Sequence, residues 1–262
     1  MEPGAESDGA LALRLAEEAG ALLVALRQRM AAGGSRDWQV MDAGDAESHR
    51  FLMDALATAR PGDAVLSEEG RDDPVRLESE RVWIVDPLDG TNEYGEYGRV
   101  DWAVHVALWE RGVLSAGAVS LPAQGVAYGT SEPPAMPLST RTSPRLVTSR
   151  FRSPPAAVIV ARALDADALR MGSAGAKAMA VVTGAADVYL HDGGMYEWDS
   201  AAPVAVAAAT GMHVSRIDGS PLRYNRPDPW LPDLLICRPE LAEPVLDALW
   251  GNRRPYRDAT TA

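Results

Sequence analysis

An α/β (α+β) fold in two halves is what the sequence predicts, and three observations carry it. The N-terminus has helical periodicity, a run of short hairpin-like strands follows, and helix and strand alternate beyond a Pro/Ser/Thr-rich segment. In "ALALRLAEEAGALLVALRQRM", Leu11, Leu15, Leu22 and Leu26 fall on one helical face, with Ser7 or Asp8 placed to cap it. A second helix is expected after Asp45, with Phe51, Leu52, Ala55 and Leu56 as its apolar stripe. Strands are expected at 64–67, 81–85, 102–109, 113–120 and 125–130, a succession that implies a largely antiparallel sheet covered by helices. Residues 130–145, "TSEPPAMPLSTRTSPR", read as a linker and divide the chain into halves 1–140 and 141–262. The second half reads as strand "AVIVAR", helix 174–184, strand "ADVYLH", a helix from 199, strand "LLICR" and helix 240–250.

The bulk properties limit the function. With 262 residues and 47% hydrophobic content the chain can bury a substantial core. No uncharged apolar stretch is long enough for a bilayer, and "MEPGAESDGA" is acidic where a secretion signal is basic, so a cytoplasmic address and no membrane partner are expected. Cys237 stands alone, which rules out an internal disulfide and a thiolate metal cluster. A net charge of −12 argues against a nucleic-acid polymer as partner, because polyanion binding relies on clustered Lys and Arg. An acidic protein that handles a small anion needs local compensation, most simply bound cations.

The segment "RVWIVDPLDGTNE" (81–93) supplies a place for them. A hydrophobic strand breaks into Asp86 and Asp89 across a Pro-containing turn, so two carboxylates are aimed into one space, an oxygen-rich corner suited to hard divalent cations. Gly90 and Thr91 then open a helix N-terminus, where backbone N–H groups can receive an anion. Cations beside an anion site form a phosphate-handling arrangement. The spacing D-x-x-D-G-T differs from the D-x-D-G-T of haloacid-dehalogenase phosphatases, and "GSAGAKAM" does not have P-loop spacing. Two further acidic islands occur: Glu68 and Glu69 in "LSEEG", and Asp199 in "EWDSAAP". Each alone reads as a solvated turn or a helix cap.

In sequence order, E-E, D-P-L-D-G-T, G-S-A-G-A-K and W-D-x-A-A-P closely resemble the inositol monophosphatase superfamily of magnesium-dependent, lithium-sensitive phosphomonoesterases, over about residues 10 to 250. "VLSEE", "GSAGAKAM", "WDSAAP" and "DGSPLRYN" look like its CysQ branch, the 3′(2′),5′-bisphosphate nucleotidases, and most like the actinobacterial members. The resemblance implies a layered αβαβα sandwich of the inositol monophosphatase and fructose-1,6-bisphosphatase type. It also implies hydrolysis of the 3′-phosphate of 3′-phosphoadenosine 5′-phosphate, or of its 5′-phosphosulfate variant, by a metal-activated water. A broad inositol-1-phosphate or fructose-1,6-bisphosphate phosphatase is the alternative. A non-catalytic regulatory protein of the same fold would have lost a ligand, and here the acidic ligand positions and Thr91 are intact.

By the same resemblance, Glu68, Asp86 and the Leu88 carbonyl would hold one Mg²⁺, and Asp86, Asp89 and Asp199 a second, with a third, weaker ion on Glu68 through waters. Thr91 and Asp45 would orient and deprotonate the attacking water, although "DAGDAES" around Asp45 departs from the family's threonine-containing motif. Gly90 and Thr91 amides would cradle the scissile phosphate, while Ser173 and Lys177 would meet the substrate's other end. Lys177 is the branch marker, since the inositol phosphatases usually lack it. Tyr196, Trp198, Tyr224 and Trp230 are candidates for adenine contact, though aromatic residues in such places more often serve a core or a dimer contact. His105, alternating with apolar neighbours, is expected to be structural, whereas His191 is placed to border the pocket. The expected partner is a small phosphorylated molecule, and a homodimer is compatible with the sequence.

Overall fold

The structure is a computed structural model that describes residues 6–138 and 141–256. Seven α-helices and ten strands are formed among the described residues. Helix α1 (Asp8–Ala32) is capped by Ser7, whose side chain accepts from the Ala10 N–H at 3.2 Å. Its buried face is Leu11, Leu15, Ala19, Leu23 and Leu26, so Leu23 takes the place expected of Leu22, which is half-buried. Helix α2 (Asp37–Ala59) begins eight residues before Asp45 rather than after it, and Asp45 therefore sits in mid-helix. The sequence hid that start because Arg36, the residue before the helix, has no side-chain oxygen to advertise a cap.

The first sheet has the order β1 (Ala64–Ser67), β2 (Arg81–Asp89), β3 (Ala103–Glu110), β4 (Val113–Leu121), β5 (Val126–Gly129). Only the β1–β2 pair in it is parallel. The second sheet runs β7 (Asp167–Met171), β6 (Arg145–Ser149), β8 (Val188–Tyr196), β10 (Trp230–Cys237), β9 (His213–Ser215). Strands β6, β7 and β9 are short and partly polar, and sequence periodicity missed them. "AVIVAR", expected as a strand, lies in helix α4 (Pro155–Ala163). Its apolar residues divide at helical spacing, with Ala156, Ala157 and Val160 buried and Val158 and Ile159 exposed, and Pro155 occupies the first turn where its missing N–H costs nothing.

Three apolar layers show how the elements stack. Along β2, Trp83 and Val85 face a core shared with α1 and α2, while Val82 and Ile84 face a second core, the two-residue alternation of a strand covered on both faces. That second core holds α5 (Ala174–Val182) and α6 (Glu197–Ala209) between the two sheets. A third, built on Leu146, Val160, Leu190, Leu235 and Val245, seals the far sheet against α4 and α7 (Pro239–Trp250). The order is helix, sheet, helix, sheet, helix: the expected αβαβα sandwich. Helix α6 approaches β4 so closely that a Cβ on Gly117 would lie 2.7 Å from the Ala205 methyl.

A polar tie crosses from the first sheet's side to the last layers. Arg76 is 1% exposed; its guanidinium donates to Asp72, to Asn225 Oδ1 at 2.8 Å and to the Arg226 carbonyl at 2.9 Å. Glu197, at the start of α6, accepts from the Asn225 and Arg226 N–H groups. Replacing Arg76 with Met leaves the buried Asn225 Oδ1 without its donor, a loss that costs about 1–3 kcal/mol. Denaturant unfolding of Arg76→Met should show a stability loss of at least that size.

Candidate metal and phosphate site

Strand alternation and register build the site. Asp86 continues the even-numbered face of β2 after Val82 and Ile84, which turns its carboxylate toward the α5/α6 layer. Because β1 runs parallel to β2 with Ser67 opposite Val85, the next residue, Glu68, leaves β1 beside Asp86. Gly90 has φ +87°, a conformation suited to glycine, and reverses the chain into the single turn α3 (Thr91–Gly95). Asp199 is the third residue of α6, not its cap as the sequence suggested; its Oδ2 reaches back to accept from the Tyr196 N–H at 2.6 Å.

Asp86, Asp89 and Asp199 each offer an oxygen, and the three atoms lie within 4.8 Å of one another. Asp86 is fully buried: its Oδ1 accepts from the Leu88 N–H at 3.0 Å, while Oδ2 has no hydrogen-bond donor among the described residues. The Glu68 carboxyl, on a side chain otherwise exposed at the mouth, lies within hydrogen-bonding reach of Asp86. A buried carboxylate oxygen that faces other carboxylates and no donor fits a cation.

The electrostatics agree. Burial, then the charges of Glu68, Asp89 and Asp199, hold Asp86 well above the usual carboxylate range. Loss of water and the nearby Asp199 push Glu68 up to about 7, and burial with the Asp89 charge pushes Asp199 to about 6. Asp89 goes the other way. Burial opposes its ionisation, but His105, Lys177 and a Ser173 hydrogen bond override that and hold it well below its ordinary value. Its Oδ2 accepts from Ser173 Oγ and from the Gly175 N–H at 2.7 Å.

Helix α2 brings the remaining acid. Ser48 Oγ donates to the Pro87 carbonyl at 2.7 Å, and Gly44 lets the helix lie against the turn: a Cβ there would be 2.6 Å from the Tyr94 ring and 2.9 Å from Leu88. Asp45 Oδ1 is consequently 3.4 Å from Thr91 Oγ1, which also donates to the Leu88 carbonyl at 3.1 Å. Burial and the Glu69 charge raise Asp45 to about 7. Gly44 and Ser48 escaped the sequence reading; a glycine in mid-helix one residue before Asp45 was the available signal.

Lys177 is buried on α5, and its Nζ donates to the carbonyls of Gly172 and Ser173. It lines a cavity of about 310 Å³ together with Asp89, Asp199, His191, Tyr196 and Trp230. Tyr196 stacks on Trp198 with centroids 4.6 Å apart and meets Trp230 edge-on at 5.4 Å. Tyr196 and Trp230 are 42% and 43% exposed, while Tyr224 is a core residue whose hydroxyl meets Ser200. Of the four aromatic candidates, Tyr196 and Trp230 are the two that line the cavity.

Residues 9–252 match the model of the inositol monophosphatase family. The chain is a member of that family. Among relatives of this inositol monophosphatase family protein, the 3′-phosphoadenosine 5′-phosphate phosphatase of Mycobacterium bovis is 49% identical over 240 residues, 88% of this chain and 89% of the relative. The 3′(2′),5′-bisphosphate nucleotidase CysQ of Escherichia coli K12 is 35% identical over 198 residues, covering 70% and 78%. The solved inositol monophosphatase II of Staphylococcus aureus shares the fold with a TM-score of 0.79 at 21% identity, covering 94% of this chain and 96% of that one. No helix among the described residues of this family member is long and apolar enough to cross a membrane.

Unfolded carboxylates lose their protons near pH 4. In the metal-free fold Glu68, Asp199 and Asp86 keep theirs to higher pH, so the folded state binds more protons and its stability falls as pH rises from about 4 through about 7. Asp89, already ionised, contributes a constant in that window. The rise in Tm on adding Mg²⁺ to EDTA-treated protein should therefore be larger at pH 8 than at pH 5.5, as read by thermal scans at both.

Proposed function

We propose that this chain is a magnesium-dependent 3′-phosphoadenosine 5′-phosphate phosphatase that releases the 3′-phosphate and can also take the phosphosulfate analogue. The observation that carries this is one cavity running from the carboxylates past Lys177 to an exposed pair of aromatic rings. Its volume, about 310 Å³, is at the lower end for small-molecule sites, which are about 300 to 1,000 Å³. A nucleobase has a flat π face to lay on Tyr196 or Trp230; inositol and fructose rings do not. The printed activities of the mycobacterial and enterobacterial relatives support the same substrate class.

Glu68, Asp86, Asp89, Asp199 and the Leu88 carbonyl would hold two Mg²⁺ ions, with a third on Glu68. Bound cations polarise phosphoryl oxygens, acidify water and stabilise a leaving alkoxide. The chain's own groups do the rest. Asp45, with its affinity for protons raised to about pH 7, accepts the proton of the attacking water while Thr91 Oγ1 orients it. Gly90 and Thr91 amides receive the scissile phosphate. Ser173, fixed by Asp89, borders the substrate; Lys177 has three N–H groups, and its two carbonyl bonds leave one for a remote anionic group.

Two outcomes are expected. Asp89→Asn, which keeps shape and removes charge, should lower phosphatase activity by about a hundredfold or more, the scale of lost electrostatic stabilisation. Lys177→Ala should lower kcat/KM for 3′-phosphoadenosine 5′-phosphate by about ten- to a hundredfold, because a charge-assisted hydrogen bond contributes about 1.5–3 kcal/mol. Inositol 1-phosphate, which lacks a second anionic group, should be spared. Side-by-side turnover of these two and fructose 1,6-bisphosphate checks the substrate class; equal losses on all of them for Lys177→Ala would refute its role in selection.

A further inference from the structure

His105 lies in the middle of β3, opposite Asp86 in the β2–β3 register, with no exposed surface. Its strand neighbours on the same face, Ala103 and Ala107, are core residues. A buried polar ring in such a setting costs free energy unless something engages it. Two things do. Nδ1 is 3.1 Å from the Trp198 carbonyl, which can only accept, so Nδ1 donates. Nε2 makes no hydrogen bond among the described residues but lies 3.2 Å from Asp89 Oδ2, within ion-pair distance of that carboxylate.

Those two contacts connect separate parts of the carboxylate cluster. Asp89 ends β2 in the first sheet, and Trp198 immediately precedes Asp199 in α6. The ring is also boxed in: a Cβ on Gly175 would lie 2.1 Å from Nε2, so only glycine at that position leaves room for it. A five-membered ring has a fixed separation between its nitrogens, and it spans the gap between a strand end and a helix start without adjustable torsions.

We propose that His105 is a positioning residue that sets the spacing between Asp89 and Asp199 and thereby tunes the affinity of the carboxylate cluster for divalent cations. The inference rests on the metal-binding reading of that cluster. It makes no use of substrate and places His105 outside the reacting atoms. Partners that orient metal ligands are worth about ten- to a hundredfold in metal affinity.

The test is direct binding of Mn²⁺ to the substrate-free protein, followed by electron paramagnetic resonance. His105→Asn keeps a donor near the Trp198 carbonyl but is too short to span both partners, and His105→Leu fills the space without engaging either. Val106→Ala, on the opposite face of the same strand, controls for general loosening of the core. Both His105 variants should bind Mn²⁺ at least about tenfold more weakly than the wild type, with Val106→Ala close to the wild type. Wild-type affinity in a folded His105 variant overturns the proposal, as does an equal loss in Val106→Ala. Failure of both His105 variants to fold overturns it too, by making His105 a residue of the core alone. If the wild type itself binds no Mn²⁺, the metal-binding reading fails instead, so the two failures are distinguishable.

Discussion

Like-charge repulsion among converging carboxylates is what the polar contacts of this interior have to contain. Asp86, Asp89 and Asp199 converge from a strand end and a helix start into a space that excludes most water, with the exposed Glu68 at its edge. Nothing in the local preferences of those elements favours this. The fold imposes it through the packing of three apolar layers whose combined burial outweighs the local electrostatic cost. Three of the four carboxyls respond by holding protons more tightly, which lessens the repulsion.

The surrounding polar contacts treat the acids unequally, and the inequality is informative. Asp89 is given a hydroxyl, a backbone N–H and an imidazole, so it is a fixed, ionised anchor. Asp199 is given one backbone N–H from Tyr196. Asp86 receives a donor on one oxygen only and leaves the other bare among its fellow acids. The least compensated group is Asp86, which is also the most deeply buried of the four acids.

Much of this was legible in the sequence, for identifiable reasons. "DPLDGT" compresses a strand end, a tight turn and two acids into six residues, so local rules were enough to read it. The long helices announced themselves by period, but α2 began earlier than its cap signals allowed, and "AVIVAR" offered five consecutive apolar residues that periodicity cannot assign. The strands β6, β7 and β9 mix polar and charged residues into runs of three to five, so no apolar run marks them. Three-dimensional neighbours were the hardest part. That Gly44 admits a tyrosine ring, that Gly175 admits an imidazole, and that Ser48 grips Pro87 are facts about elements far apart in the chain, and no local pattern encodes them.

Helix α6 belongs to the later part of the sequence yet packs against β2, β3 and β4 of the earlier sheet, with Gly117 allowing its close approach. A nascent chain that has emerged only as far as β5 therefore carries Ile84, Ala107 and Val119 on a bare apolar face, and its acids at 68, 86 and 89 have no fourth partner. When α6 arrives it covers that face and delivers Asp199 in the same movement. Completion of the fold and completion of the carboxylate cluster are thus a single event, because the helix that covers the apolar face is the one that carries Asp199.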